Sequence, residues 1–554
     1  MTAPVRSSAA VRIWPALGLI VATMVLYLVL AMPNHPLALA PDILLVFPLE
    51  LPVIAIGLAV LPPSGKATTA IRAGIVAFLV VLTLLKAADF ATFATYNRGF
   101  NPVVDMHLLP AAWNLGSGTV GTFLASAIVL GALVCIVALA MILWWATGRW
   151  ARLEAKGWLR TSGALALLPL CAVAVAEIGA AMRHWSLPVD MPGAAFTTRV
   201  AVERAEMLSQ TVTRLRTFNE AAATDPYADA APLFDLITDR DVLLTYIESY
   251  GASSLTNPRY APTHHATLRQ IEAELSGLGL AMRSGWLEAP MIGGQSWLSH
   301  ATLSTGLWVP DQRTYGAALI SGRKSLFHLA QQNGFETVAV MPAITMDWPE
   351  ADFMGFSEVY EATDLGYGGL PFNWVTMPDQ FTLSALDRLV LDGVPGRDRP
   401  PVFAQVALIS SHAPWTPVPE LVPWEDVGDG QIFNAAAQSG DPPEVVWRDR
   451  DRVRDQFRQA IDYSLRTVGN YAARRADDPP FMIVLGDHQP ALFVSEDAGR
   501  LVPIHVIGPA TLVDRFADWG WNPGMLPDTD VPVIKMDDFR NRFLATFSTA
   551  NVTP

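Results

Sequence analysis

The feature that most narrows what this chain can become is a set of five apolar runs crowded into its first third, near residues 13–31, 41–61, 70–88, 119–146 and 162–182. A helix needs about 20 apolar residues to cross the hydrocarbon of a bilayer. One such run could be a buried core helix, but five in succession read as membrane spans. The first has too long an apolar core, and too many spans after it, to be a removable signal peptide. Basic residues set the expected orientation. Arg6 and Arg12 precede the first run, Lys66 and Arg72 lie between the second and third, and Arg149, Arg152, Lys156 and Arg160 lie between the fourth and fifth. Residues 32–40 carry no basic side chain, and 87–118 carry only Arg98. Lys and Arg are enriched on the cytoplasmic side, so the N-terminus is expected there and everything after about residue 183 outside.

At 554 residues the chain is too long for one core. Three regions are expected: a five-helix membrane domain over 1–183, a polar and partly helical connector over 184–235, and an extracytoplasmic domain over 236–554. The net charge of -14 argues against a nucleic-acid partner, which needs a basic surface. Cys135 and Cys171 both fall in apolar runs, so the polar part of the chain has neither disulfides nor a thiolate metal site. The stretch 89–118 is long and aromatic. It reads as an interfacial belt or, more sharply, as a ledge on which Arg98, Asp105 and His107 meet lipid headgroups.

Beyond residue 240, short apolar strands alternate with amphipathic helices. Strands are expected at 241–247, 337–341, 402–409, 481–485 and 502–507, and helices at 265–279, 323–334, 379–392, 449–475 and 535–548. Continuous apolar strands separated by helices predict an α/β domain whose largely parallel sheet is buried on both faces. Ligands gather beyond the carboxyl ends of such strands. Four polar motifs stand there: Glu248 in YIESYG, Ser296 in GGQSWLSH, His412 in SSHAPW, and Asp487–His488 in GDHQP. Taken singly, each has a plain explanation as a turn, a helix cap or a structural histidine. Their joint occurrence in this order is the informative observation.

That order resembles the membrane-anchored phosphoglycerol and phosphoethanolamine transferases of the alkaline-phosphatase/sulfatase superfamily, and in plan the lipoteichoic acid synthases, with five spans and an outer sulfatase-like domain. The resemblance implies that Glu248, Asp487 and His488 hold one divalent metal, with Ser296 completing the shell as nucleophile. It implies that His412 contacts substrate or transfers a proton. Mixed oxygen and nitrogen ligands suit Mn²⁺ or Zn²⁺, between which the sequence does not choose. The chemistry agrees, because a serine hydroxyl needs a metal or a base to become nucleophilic, and a helix N-terminus after Gly293–Gly294 suits phosphate. The expected function is transfer of a phospholipid headgroup, through a covalent Ser296 intermediate, to a hydroxyl of a periplasmic glycan or lipid at the bacterial inner membrane.

Several positions depart from the family pattern. Trp297-Leu298-Ser299-His300 follows Ser296 without the Pro and Arg of a formylglycine motif, which disfavours sulfate-ester hydrolysis. Most of the transferases have Thr where this chain has Ser296, and Ser299 and Thr302 offer nearby hydroxyls. The absence of cysteines and the Leu501 before Pro503 favour the phosphoglycerol branch. Trp348 matches that branch's headgroup-holding Trp, but Glu350 stands where its Arg is expected. His300 is read either as packing or, with Trp297, as substrate contact. Two alternatives stay open: a phosphodiesterase or phosphatase with the same metal site, and a membrane sensor with a relic domain.

Overall fold

The structure, a computed structural model, describes residues 8–38, 46–63, 65–96, 121–153, 157–189, 191–346, 348–392 and 399–550, with parts of 99–117. The chain divides into two compact units, Met1–Thr213 and Arg214–Pro554.

The first unit is helical. Three of its described helices are long and apolar enough to cross a membrane: Lys66–Phe93, Thr122–Ala151 and Gly157–Ala181. The first expected span falls on the 24-residue apolar helix Ser8–Ala31, and the second on a shorter one, Glu50–Val60. The 11 residues of Glu50–Val60 rise only about 16 Å, roughly half the hydrocarbon thickness. Helix does not extend back to residue 46 because that backbone is extended. Pro48 forms a parallel bridge with Ala194, Leu49 N–H donates to Ala194 O at 3.1 Å, and Ala194 N–H donates to Phe47 O at 3.0 Å. Residues 41–45 of that run lie outside the described residues. A buried apolar seam containing Ala22, Leu26, Leu79 and Leu143 joins the helices.

Buried charge pins the same unit together. Arg204 pairs with both oxygens of Asp89 at 2.5 Å, and Asp89 also accepts from Asn34 Nδ2 and Phe100 N. Of the expected headgroup ledge, Arg98 and the side chain of His107 lie outside the described residues. Asp105 is fully buried and accepts from Asn101 N at 2.7 Å, so its carboxylate faces protein rather than headgroups.

The second unit is a three-layer α/β domain. Its strands are β1 Val242–Ile247, β2 Ala281–Glu288, β3 Glu336–Met341, β4 Glu358–Glu361, β5 Val402–Leu408, β6 Phe481–Gly486, β7 Leu501–Gly508, β8 Asn522–Pro523 and β9 Val533–Lys535. They form one sheet in the order β4-β3-β5-β1-β6-β7-β2-β8, with β9 also on β2. The sheet is mixed, with most of its pairings parallel. β4, β3, β5, β1 and β6 run parallel, but β7 is antiparallel to both β6 and β2. The β6–β7 connection has only the four-residue helix Leu492–Ser495, too short to cross back along a sheet face, so β7 returns antiparallel.

Alternation along β1 builds two cores. Leu243 and Ile247 pack on one face under the helices Ala261–Gly277 and Arg450–Arg474, with Phe457, Ile461 and Leu268. Val242, Leu244 and Tyr246 face the other, against Phe327, Phe403 and Phe543 beneath the helices Leu326–Gln332 and Asp538–Phe547. Each fully buried apolar side chain there contributes about 1.5–3 kcal/mol relative to exposure. Burial on both faces holds the β5–β1–β6 register, and therefore the three polar loops that follow these strands.

Candidate active site

Adjacent parallel strands bring their C-terminal loops together. Glu248 follows β1, Ser410–His412 follow β5, and Asp487–His488 follow β6. Glu248 N–H donates to Leu408 O at 3.0 Å, and Ser411 Oγ donates to Glu248 O at 2.6 Å, which locks the first two loops. Asp487 Oδ1 accepts from Ser249 N at 2.8 Å and His488 N at 2.7 Å, which locks the first to the third.

Ser296 arrives from the loop after β2. Ile292 bridges Gln489, and Gly293 N–H donates to Gln489 O at 2.9 Å, so the serine loop is stitched to the segment carrying Asp487 and His488. Gly293, Gly294 and Gln295 have φ of 76°, 121° and 67° in succession. A left-handed run of this kind favours glycine and turns the chain sharply into the helix Ser296–Thr305. No side chain caps that helix, which leaves its first N–H groups available to an anion.

The result is a compact cluster. Ser296 Oγ donates to Glu248 Oε2 at 2.8 Å and lies 3.4 Å from His488 Nε2. Glu248, Asp487 and His488 each offer a ligand atom, all within 4.8 Å of one another. His488 Nδ1 faces Gln489 O at 2.8 Å, so that nitrogen carries hydrogen, and Nε2 faces Glu248 Oε1 at 3.2 Å. A neutral His488 in this tautomer sets a lone pair against a carboxylate. Only a cation between them, proton or metal, makes that arrangement favourable, and a backbone-anchored Nδ1–H is the usual support of a metal-ligating histidine.

The electrostatics say the same. Burial pushes the Asp487 carboxyl well above the usual range, and the neighbouring Glu248 charge adds to the effect. Burial would also raise Glu248, but His488, followed by His412, holds it well below. Burial would lower His488, yet the two carboxylates raise it to about 9. Two buried carboxylates and one imidazole therefore ask for positive charge, and the donor set fits a divalent ion.

A cleft of about 530 Å³ opens beside the cluster, lined in part by Glu248, Ser296, Trp297, His300, Trp348 and His412. His412 Nδ1 faces Ala413 O at 2.5 Å, which fixes its ring. Trp297 is 40% exposed, with Nε1 donating to Gln312 Oε1 at 2.8 Å. Thr302 donates to Leu298 O at 2.7 Å within its own helix and, like the buried Ser299, does not line the cleft.

Sequence reasoning missed several residues of this arrangement. Ser249, at φ 60°, donates Oγ–H to Glu248 Oε1 at 3.2 Å. Gln489 holds Ser253 Oγ at 2.8 Å. Three residues that border the cleft also carry a buried polar atom without a partner: Tyr246 Oη, His300 Nε2 and Gln405 Oε1. The rings of Tyr246 and His300 lie 3.9 Å apart, and burial lowers His300 to about 4, so it is neutral. A polar residue such as Gln405 inside an otherwise apolar buried strand was a usable signal.

No family model matches the chain, and no curated protein matches it in sequence. Solved structures similar to it include a protein in the alkaline phosphatase superfamily from Vibrio parahaemolyticus, at 16% identity and TM-score 0.39, covering 61% of this chain and 75% of that one. A lipoteichoic acid synthase from Listeria monocytogenes is 15% identical, with TM-score 0.33 over 52% of this chain and 70% of that one. A phosphoglycerol transferase from Streptococcus pyogenes, in complex with sn-glycerol-1-phosphate, is 14% identical, with TM-score 0.37 over 61% and 82%. These overlaps are partial.

Proposed function

We propose that the chain is a metal-dependent, membrane-anchored transferase that moves a phospholipid headgroup, phosphoglycerol or phosphoethanolamine, through a covalent Ser296 intermediate to a hydroxyl of a periplasmic glycan or lipid. The observation that carries this reading is Ser296 Oγ at the uncapped start of a helix, 2.8 Å from Glu248 and 3.4 Å from His488. The chain sits in the bacterial inner membrane through five apolar segments, the second of which contributes only the half-length helix Glu50–Val60, with the N-terminus cytoplasmic and residues 236–554 periplasmic.

Glu248, Asp487, His488 and Ser296 would hold one Mn²⁺ or Zn²⁺, which when bound lowers the pKa of the serine hydroxyl and offsets charge on the phosphoryl oxygens. Glu248 Oε2 accepts the hydroxyl hydrogen and orients the serine lone pair toward the cleft. The N-terminus of the helix Ser296–Thr305 receives the phosphoryl oxygens. As the Ser296 O–P bond forms, Glu248 takes the serine proton, the bond to the glycerolipid oxygen breaks and His412 gives that oxygen a proton. The acceptor hydroxyl then attacks the phosphorus, its proton passes to His412, and Ser296 leaves with the proton held by Glu248. Trp297, Trp348 and His300 border the space left for the headgroup.

Purified full-length protein incubated with phosphatidylglycerol or phosphatidylethanolamine should release diacylglycerol. The mass of the peptide bearing Ser296 should rise by the headgroup phosphate. Ser296→Ala should lower release at least about a thousandfold, the scale on which lost nucleophiles act. Asp487→Asn with His488→Ala should lose the bound divalent ion by elemental analysis. Release undiminished in Ser296→Ala would overturn the assignment. Headgroup delivered only to water would make the same site a phosphodiesterase.

A further inference from the structure

Besides Glu248 and Asp487, whose charge a bound divalent ion would balance, the wall of the catalytic cleft carries a further carboxylate, Glu350. It stands on the short 3-10 helix Pro349–Phe353, directly after Trp348. Glu350 is partly exposed, and its carboxylate has neither a hydrogen bond nor an ion pair among the described residues. Its charge reaches the buried Tyr315, whose hydroxyl burial pushes up to about 12, with Glu350 adding to the rise. No side chain on the wall answers that charge. Among the described residues lining the cleft none is Lys or Arg, His300 is neutral, and His412 acts on Glu248. Aromatic rings accompany the free carboxylate. Trp348, Trp297 and Tyr315 all line the cleft, and Trp348 is backed by Phe356 with ring centroids 6.1 Å apart.

We infer that Glu350 selects the headgroup, and that the headgroup is an organic ammonium of the ethanolamine or choline type, its cation set against the Glu350 carboxylate and its carbons against Trp348. This rests on the headgroup-transfer reading and adds to it which class of headgroup is moved. A carboxylate and aromatic faces both attract an ammonium, and the wall offers the two side by side. A phosphate ester without a cation would bring negative charge toward Glu350 and leave the carboxylate uncompensated. An ammonium on the same ester removes that repulsion and supplies the missing ion pair. A glycerol diol is the competing occupant, since its hydroxyls also donate to a carboxylate, and the test below sets the two against each other.

The test separates recognition from transfer. Full-length Ser296→Ala protein in detergent, supplied with Mn²⁺, is titrated with phosphoethanolamine, phosphocholine and sn-glycerol 3-phosphate, and tryptophan fluorescence reports binding. The three probes share one phosphate and differ in what it carries. At least one ammonium ester should bind about tenfold tighter than glycerol phosphate, the scale of a partly desolvated cation on a carboxylate and an aromatic face. Which ester binds tighter distinguishes a primary from a quaternary ammonium. Adding Glu350→Gln should erase the preference. Adding Asp352→Asn instead, which removes the same charge from an exposed site on the same short helix, should leave it intact. With Ser296 restored, the peptide bearing it should gain mass from phosphatidylethanolamine or phosphatidylcholine in preference to phosphatidylglycerol. Glycerol phosphate bound equally or better, or a preference unmoved by Glu350→Gln, would overturn the inference, while a Ser296 adduct from phosphatidylglycerol would keep the transferase reading. An ammonium preference that Glu350→Gln erases, with no Ser296 adduct from any of the three lipids, would sink the transferase reading and uphold the ammonium site.

Discussion

The residues that say most about this protein are polar atoms buried without partners. A buried unsatisfied group costs about 1–3 kcal/mol, and Tyr246, His300 and Gln405, which carry such atoms, border one cleft with Ser296. Removing a group that stability does not use should cost no stability. Tyr246→Phe and Gln405→Leu are therefore expected to unfold at the same denaturant concentration as wild type or higher. Each should lower kcat/KM about fivefold to tenfold, the worth of one hydrogen bond to substrate. A fall in stability with unchanged kcat/KM would mark both as packing residues. His505 gives a prediction of a different kind. Its Nδ1 lies 2.8 Å from Ser284 Oγ, which itself donates to Gly524 O, and its Nε2 lies 3.1 Å from Tyr250 Oη. The neutral ring is satisfied, and burial lowers its pKa to about 3. An unfolded histidine takes its proton near pH 6.5. Between these values the unfolded chain binds the extra proton, so stability is complete above about pH 6.5 and falls as pH drops, by about 1.4 kcal/mol per unit for this residue. Denaturant midpoints at pH 7, 6 and 5 should show that slope reduced in His505→Gln.

Among the elements, helices in the first unit are joined by paired charge as well as by apolar contact. The carboxylate of Asp89, on the helix Lys66–Tyr96, is fully buried, and Arg204, on the helix Phe196–Ala222, has only 8% of its side chain exposed. Breaking such a pair from one side leaves an uncompensated charge and costs about 3–5 kcal/mol. Asp89→Ala should therefore lower the thermal midpoint of the detergent-solubilised protein by several degrees, whereas Arg216→Ala, which breaks the exposed pair with Glu220, should leave it unchanged. Much of this level was legible in the sequence. β1, β3, β5, β6 and β7 fall on the expected apolar runs, and the helix Arg450–Arg474 lies inside the expected 449–475. β2 was not, because AMRSGWLE mixes polar residues into a strand that the structure nonetheless pairs with β7, β8 and β9. Its partners come from more than 200 residues downstream, and no local pattern announces them.

At the level of the whole molecule, the composition divides as the structure does, with apolar helices before the α/β domain and the acidic charge mainly within it. The proposed topology is directly measurable. In a chain with Cys135 and Cys171 replaced by Ala, Ser439→Cys should react with a membrane-impermeant maleimide added to spheroplasts. Thr69→Cys should react only after lysis. Both positions are exposed, so steric shielding by protein does not confuse the result. Labelling of Thr69→Cys alone in intact spheroplasts would invert the orientation.

Apolar length, charge asymmetry and the order of four short motifs were enough to mark a membrane-associated chain with an α/β domain and to pick out Glu248, Ser296, Asp487 and His488. Those signals are local, because hydrophobic periodicity and turn chemistry act over a few residues at a time. How much of each run is helical was decided by tertiary pairing, as at Pro48, whose bridge to Ala194 shortens the second helix. The partnering of β7 and the meeting of Tyr246, His300 and Gln405 in one cleft were likewise tertiary outcomes. Contacts between residues far apart in the chain depend on how the sheet closes, and only the folded arrangement shows which buried polar atoms are left without partners.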